Sequence, residues 1–305
     1  MIKRSLYERV LFETICRGST VLSEDVCEAF AAAIDREVFP VAKTGLEKTL
    51  ESIRLSAINS TPACPDTGWP IFYFKVGDEC AFEGGFTGLE DAARNAVRNA
   101  TRKGYLRSTM KHPLTGADPG DNVGMNIPDF TYRFVPGENL EITYVAKGGG
   151  SECFGGTRHR VVAFADGISG IEKFVIDSFV DSTRAGAICP PSILGIGIGG
   201  TANIAANLAK EAACLRTIGS RHPEPMIAKI EQDLYVALNS LGVGIMGAGG
   251  STSVFAVNIE YAYTHIAGVV VATSSNCMIA RRASSRILGD SSVQPMQQPD
   301  WFEGR

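Results

Sequence analysis

The run Cys189-Pro190-Pro191-Ser192-Ile193-Leu194-Gly195-Ile196-Gly197-Ile198-Gly199-Gly200-Thr201 constrains the fold more than any other segment. Its apolar, glycine-rich part, 192–199, reads as a buried strand feeding a turn. Thr201 to Arg216 then reads as a helix, with Ala202, Ala205, Ala206, Leu208, Ala209 and Ala212 at helical spacing. Clustered glycine marks backbone that approaches something closely or takes a positive φ. The free amides opening the helix favour an anion, unless the glycines serve only to turn the chain tightly. The segment is not a phosphate loop, because no Gly-Lys-Ser/Thr follows, and it does not meet the dinucleotide spacing.

The remaining elements extend this α/β pattern. Residues 5–38 read as two amphipathic helices, with Ser23 placed to cap the second. A third covers 43–59 and stops at Ser60-Thr61-Pro62, where proline blocks continuation. Residues 70–76 alternate as a strand, and 88–105 read as a helix. Residues 130–146 read as a hairpin turning at Pro136-Gly137-Glu138-Asn139. Strand 158–166, helix 169–184, helix 224–240 and strands 252–260 and 266–273 follow. No repeat or internal linker interrupts them. The expectation is one mixed α/β domain over 1–293, mixed sheets flanked by helices, with a polar, proline-containing tail over 294–305.

Composition narrows the function. The chain has 305 residues, 45% hydrophobic, enough for a large core. The net charge is −4 and no basic run stands out, which argues against nucleic acid as a partner. No stretch has the apolar length of a membrane span. The first ten residues are too charged for a signal peptide, so a cytoplasmic, disulfide-poor setting is expected. Eight cysteines in that setting are core residues or metal ligands, and no C-x-x-C pair points to a zinc ribbon or a redox motif.

Three cysteines are unusually framed. Cys64 sits in Thr61-Pro62-Ala63-Cys64-Pro65-Asp66-Thr67-Gly68, between prolines that stiffen the loop and exclude helix. Cys189 is displayed by Pro190-Pro191, which fix φ and supply no amide protons. Cys277 precedes Arg281-Arg282 in Asn276-Cys277-Met278-Ile279-Ala280-Arg281-Arg282. Taken alone, each reads first as a buried loop cysteine. Together, three separated thiolates suit an iron–sulfur cluster with one iron free of protein sulfur, and a free iron is a Lewis acid. Cys16, Cys27, Cys80, Cys153 and Cys214 lack such framing and are assigned to the interior.

Other candidates have two readings each. Lys147-Gly148-Gly149-Gly150-Ser151-Glu152 strips side chains from the backbone beside something bulky, with Lys147 suited to a carboxylate, or it is a flexible strand end. Arg107 at the end of a helix is a carboxylate clamp or complements the helix dipole. His265 in Thr264-His265-Ile266-Ala267-Gly268 is a substrate contact or a core histidine bonded to backbone.

Taken together the motifs resemble one family. C-x-D-T-G at 64–68, K-G-G-G-S at 147–151, C-P-P-x-I-L-G-x-G-I-G-G-T at 189–201, T-H-x-A-G at 264–268 and the late cysteine at 277 resemble the α subunit, or N-terminal domain, of class I fumarase and L-tartrate dehydratase, the iron–sulfur hydro-lyases. The resemblance implies the class I fumarase N-terminal-domain fold and a 4Fe-4S cluster held by Cys64, Cys189 and Cys277. It implies that the open iron acts on the hydroxyl of a small 2-hydroxy dicarboxylic acid. It assigns substrate contacts to Arg107, Gly150 and His265, with Lys147 supporting the carboxylate site. It gives Asp66 a part in proton transfer, assisting a base on the β part. It also implies a separate β subunit and an α-subunit dimer within a heterotetramer. Pro65 stands where fumarases usually have a substrate-contacting glutamine, so fumarase itself does not follow over tartrate dehydratase. The alternative on the same scaffold is a non-catalytic iron–sulfur sensor or assembly protein.

Overall fold

The computed structural model describes residues 1–303 except 155 and 187. In chain order its elements are α1 (Arg4–Thr20), α2 (Glu24–Arg36), α3 (Pro40–Asn59), β1 (Trp69–Gly77), α4 (Gly85–Arg102), β2 (Asp129–Val135), β3 (Leu140–Lys147) and α5 (Gly149–Cys153). There follow β4 (Thr157–Val162), α6 (Gly167–Arg184), β5 (Ser192–Ile198), α7 (Ala202–Leu215), α8 (Pro225–Ser240), β6 (Val254–Tyr261), β7 (Val269–Asn276), β8 (Arg281–Ile287) and β9 (Val293–Met296). The fold is mixed α/β, with two mixed sheets flanked by helices, as the sequence predicts. The described residues form two compact units. One comprises Met1–Glu24, Ser52–Lys147 and the chain from Arg281; the other comprises Asp25–Glu51 and Gly148–Ala280.

The first unit is a five-stranded sheet ordered β2-β1-β3-β8-β9, with α1 and α4 against it. Phe72 and Phe74 alternate along β1, so both rings point to one face. There they meet Tyr7, Leu11 and Ile15 of α1, Leu89, Ala93 and Val97 of α4, and Ile142 and Tyr144 of β3. Gly18 lets α1 approach, since a Cβ there would lie 2.9 Å from the Tyr144 ring. The hairpin read at 130–146 is corrected: both strands form, but β1 lies between them, parallel to β2 and antiparallel to β3. Nearly every residue of β1 is buried, which suits a central strand. The segment 294–303, read as a tail, is held in this unit. β9 pairs with β8, Trp301 is buried against Tyr73, and Asp300 pairs with Lys75 and Arg286.

The second unit is a four-stranded sheet ordered β4-β7-β5-β6, with β5 and β6 parallel and the other pairs antiparallel. Leu194 and Ile196 point into a core with Phe174 and Phe179 of α6 and Ile230, Leu234 and Leu238 of α8. Gly195 and Gly197 alternate to the opposite face, where α7 lies on bare backbone. A Cβ at Gly197 would come 1.9 Å from the Ala205 carbonyl. This is the strand–turn–helix unit expected from the glycine-rich run, with Gly199 and Gly200 turning at positive φ (85° and 67°). Ser23 does not cap α2: its Oγ is buried with no hydrogen-bond partner among the described residues.

Candidate active site

In the first unit the structure gathers Cys64, Asp66, Arg107 and Lys147. The chain leaves α3, passes the half-buried Cys64 and enters β1 at Trp69. The Asp66 carboxylate accepts from the Gly68 amide at 3.1 Å and so closes the turn. Gly68, at φ 75°, lies on the end of β3, where a Cβ would come 2.4 Å from the Lys147 carbonyl. Lys147 itself is fully buried opposite Trp69.

Arg107 is anchored to the same loop. Its Nη1 donates to the Pro65 carbonyl at 3.0 Å, and its amide donates to Thr67 Oγ1 at 3.0 Å. The placement at a helix end is corrected: α4 stops at Arg102, Gly104 turns at φ 81°, and Arg107 lies in the loop beyond. The contact to residue 65 is to backbone, so proline there does not disturb it. Two residues that the sequence reading gave no role hold this arrangement. Thr67 is 1% exposed, and Asn122 donates from Nδ2 to the Arg107 carbonyl at 2.6 Å. Asn122 also accepts from the amides of Thr109 and Met110. Thr67 lies inside the C-x-D-T-G motif at 64–68, whereas nothing in the sequence signals Asn122.

In the second unit the structure brings Cys189 and Cys277 together. Cys189 leads into β5 and Cys277 follows β7, whose ends meet at Ile193–Asn276. The Met278 amide donates to the Cys189 carbonyl at 3.0 Å. Cys277 is buried and Cys189 half-buried. Gly150 lies at the same end of the sheet. Its short helix α5 packs on β7, and the Ser275 amide donates to the Gly156 carbonyl at 2.8 Å. His265 is not brought to this end. It lies in the exposed loop before β7, with the length of that strand between it and Cys277. The loop meets the Gly199 turn at the opposite end, where a Cβ at Gly199 would contact the Ala262 carbonyl and Thr264.

Of the five thiols assigned to the interior, only Cys214 is buried; Cys16, Cys27 and Cys80 are half-buried. Burial pushes Cys16 up to about 11, whereas Cys153 is exposed. Among the described residues no cysteine is in a disulfide. Soft thiolates on stiff loops fit a thiolate-held iron–sulfur group. Among the described residues no three His, Cys, Asp or Glu side chains form a single-ion site.

Residues 8–286, which span nearly all of this machinery, match the family described as fumarate hydratase (Fumerase). The chain belongs to the fumarate hydratase family. It is 36% identical over 286 residues to a Methanocaldococcus jannaschii protein provisionally named L(+)-tartrate dehydratase subunit alpha, covering 93% of this chain and 98% of that one. It is 33% identical over 273 residues to L(+)-tartrate dehydratase subunit alpha of Escherichia coli strain K12, covering 89% and 88%. The corresponding Shigella boydii protein is similar to the same extent. Membership of the fumarate hydratase family makes the chain a hydro-lyase, the activity class expected from its motifs. No helix among its described residues is long and apolar enough to cross a membrane.

Proposed function

We propose that the chain is the α subunit of an iron–sulfur hydro-lyase that reversibly dehydrates a small 2-hydroxy dicarboxylic acid, of the malate/fumarate or tartrate/oxaloacetate type. The observation that carries the reading is the lacing of Arg107 to the Cys64 loop, which fixes a carboxylate-binding cation beside a candidate cluster ligand. The pairing of Cys189 with Cys277 supports it from the second unit. In this reading Cys64, Cys189 and Cys277 hold a 4Fe-4S cluster. When bound, such a cluster supplies Lewis acidity that makes hydroxide a better leaving group.

The chain's own residues do the rest. Arg107 and Lys147 hold carboxylates, the guanidinium in a fork that matches a carboxylate's two oxygens. Gly150 lets the backbone approach the substrate closely. Hydroxide leaves C2 and a proton leaves C3, so the double bond and one water form together in the balance. Asp66 assists a base on a separate β subunit in taking that proton. His265 lies a strand's length from the cysteines of its own unit, so in this reading it serves a site completed by another copy in an α-subunit dimer within a heterotetramer. The chain works in the cytoplasm, where thiols stay reduced.

The test is anaerobic co-purification with a β subunit, iron and sulfide analysis, and dehydration assays on malate and tartrate. Cys64→Ser, Cys189→Ser and Cys277→Ser are each expected to lose the cluster and the activity. Full iron content and activity in any one of them would overturn the assignment.

A further inference from the structure

Arg281 opens β8 and is 1% exposed, one of the largest fully buried side chains of the molecule. The same sheet matches other cations with carboxylates: Lys75 with Asp300, and Arg286 with Glu141 and Asp300. Among the described residues no carboxylate pairs with Arg281, and its buried Nε has no hydrogen-bond partner. A guanidinium cannot escape this situation by losing its proton. Burying it without a counter-charge is unfavourable, and water would satisfy a donor while leaving the charge.

Its surroundings point to what it faces. Arg281 is opposite Ala146 on β3, next to Lys147, and Trp69 of β1 is opposite Lys147. Three neighbouring strand ends therefore carry the exit of the Cys64–Gly68 loop, Lys147 and Arg281. The Tyr144 hydroxyl feels the charge of Arg281 and faces Ser19 Oγ. Both hydroxyls are buried, and neither completes a hydrogen bond of normal geometry. The Ser19 carbonyl accepts from the Ala63 amide at 2.9 Å, one residue before Cys64. The node thus offers a fixed positive charge and three donors lacking acceptors, tied to the Cys64 loop. A carboxylate has the charge and the lone pairs that this set lacks.

We propose that Arg281 is a specificity-determining cation that positions the second carboxylate of the dicarboxylic substrate at the Cys64 end of the first sheet, with Tyr144 and Ser19 helping to orient it. The proposal rests on the hydro-lyase reading above. It distinguishes Arg281 from Arg282, whose guanidinium donates to Gln298 at 2.8 Å.

The experiment uses Arg281→Met and Arg281→Lys in the chain co-purified anaerobically with its β subunit. KM and kcat are measured for malate and tartrate. Inhibition is measured with succinate, a dicarboxylate, and butyrate, a monocarboxylate, and thermal midpoints are recorded with and without succinate. Arg281→Met is expected to raise KM and the succinate inhibition constant roughly 10- to 100-fold, the size of a lost charge-assisted contact. Butyrate inhibition should stay within about twofold, and Arg281→Lys should recover part of the loss. The ligand-free midpoint should hold or rise, because an unpaired buried cation has gone. Unchanged KM and succinate inhibition overturn the proposal. So does a fall in ligand-free midpoint or iron content with succinate and butyrate weakened alike, which marks a structural or cluster-directed role. If the wild-type pair turns over neither acid, the hydro-lyase reading fails instead. A succinate-dependent rise in midpoint that Arg281→Met abolishes would still uphold Arg281 as the carboxylate's partner.

Discussion

Thr67 is the residue on which the Cys64 loop and Arg107 most depend. Its Oγ1 accepts from the Arg107 amide and lies 3.4 Å from the Arg107 carbonyl, so one buried hydroxyl pins the backbone at position 107. Cys64, Cys189, Asp66 and Lys147 stand out in the sequence because prolines and glycines frame them locally, and Cys277 because a basic pair follows it. Thr67 and Asn122 are not, because what they hold lies 40 and 15 residues away along the chain. Only the folded chain makes those neighbours. Thr67→Val keeps the shape and removes the hydroxyl. It should lower stability by about 1–2 kcal/mol in denaturant titration. It should also lower kcat/KM roughly 10- to 100-fold, through a misplaced guanidinium rather than a missing one. Wild-type kcat/KM in a destabilised Thr67→Val protein would mean that Thr67 only supports the fold.

Among elements, those with strong periodicity or punctuation are legible, and β8, with little apolar content, is not. β8 reads Arg281-Arg282-Ala283-Ser284-Ser285-Arg286-Ile287, which has no hydrophobic pattern to find. It is nonetheless buried, because its hydroxyls have partners: Ser284 with Thr143 at 2.7 Å and Ser285 with Thr14 at 2.8 Å. Pairing satisfies the polar groups that would otherwise forbid an interior strand. The hairpin misreading has a related cause, since adjacency in sequence favours pairing but cannot reveal that the more apolar β1 occupies the centre. The β5–α7 unit was legible because its requirement is steric and local. Gly195 and Gly197 leave no room for a methyl group: their Cβ atoms would fall 2.0 Å and 1.9 Å from the carbonyls of Ala209 and Ala205. Gly197→Ala must therefore push α7 off the sheet. A loss of about 3 kcal/mol or more is expected in equilibrium unfolding. Gly124→Ala, where a Cβ meets nothing within 4 Å, is the control and should stay within about 0.5 kcal/mol. Equal behaviour of the two variants would refute the close approach of α7 to β5.

At the scale of the whole molecule, both compact units are assembled from segments far apart in sequence. The chain passes between them inside K-G-G-G-S, at Lys147–Gly148, and again at Ala280–Arg281, just after Cys277. No local window carries that division, so a reading along the chain finds a continuous α/β pattern followed by a polar end. The same blindness affects residues 297–303, whose polarity is matched by cations that the sheet holds. Lys75 is 7% exposed, and its ammonium donates to the Asp300 carboxylate at 3.2 Å, the Asp300 carbonyl at 2.6 Å and the Glu303 carbonyl at 3.1 Å. Trp301 is 3% exposed, edge-on to Tyr73 at 5.2 Å and under the Arg133 guanidinium at 4.3 Å. Ending the chain after Met296 removes the buried indole and strands the Lys75 ammonium. Loss of a buried tryptophan alone costs about 3–5 kcal/mol, and the orphaned charge adds to it. The truncated protein should therefore unfold at a clearly lower denaturant midpoint. Lys75→Met in the truncated background should then restore part of the loss, because it removes the uncompensated charge, whereas the same substitution in the full chain should destabilise by taking one of its two cations from Asp300 and the donor from the Asp300 and Glu303 carbonyls. A truncated protein with an unchanged midpoint, or one made weaker still by Lys75→Met, would show that the segment rests on the sheet without stabilising it.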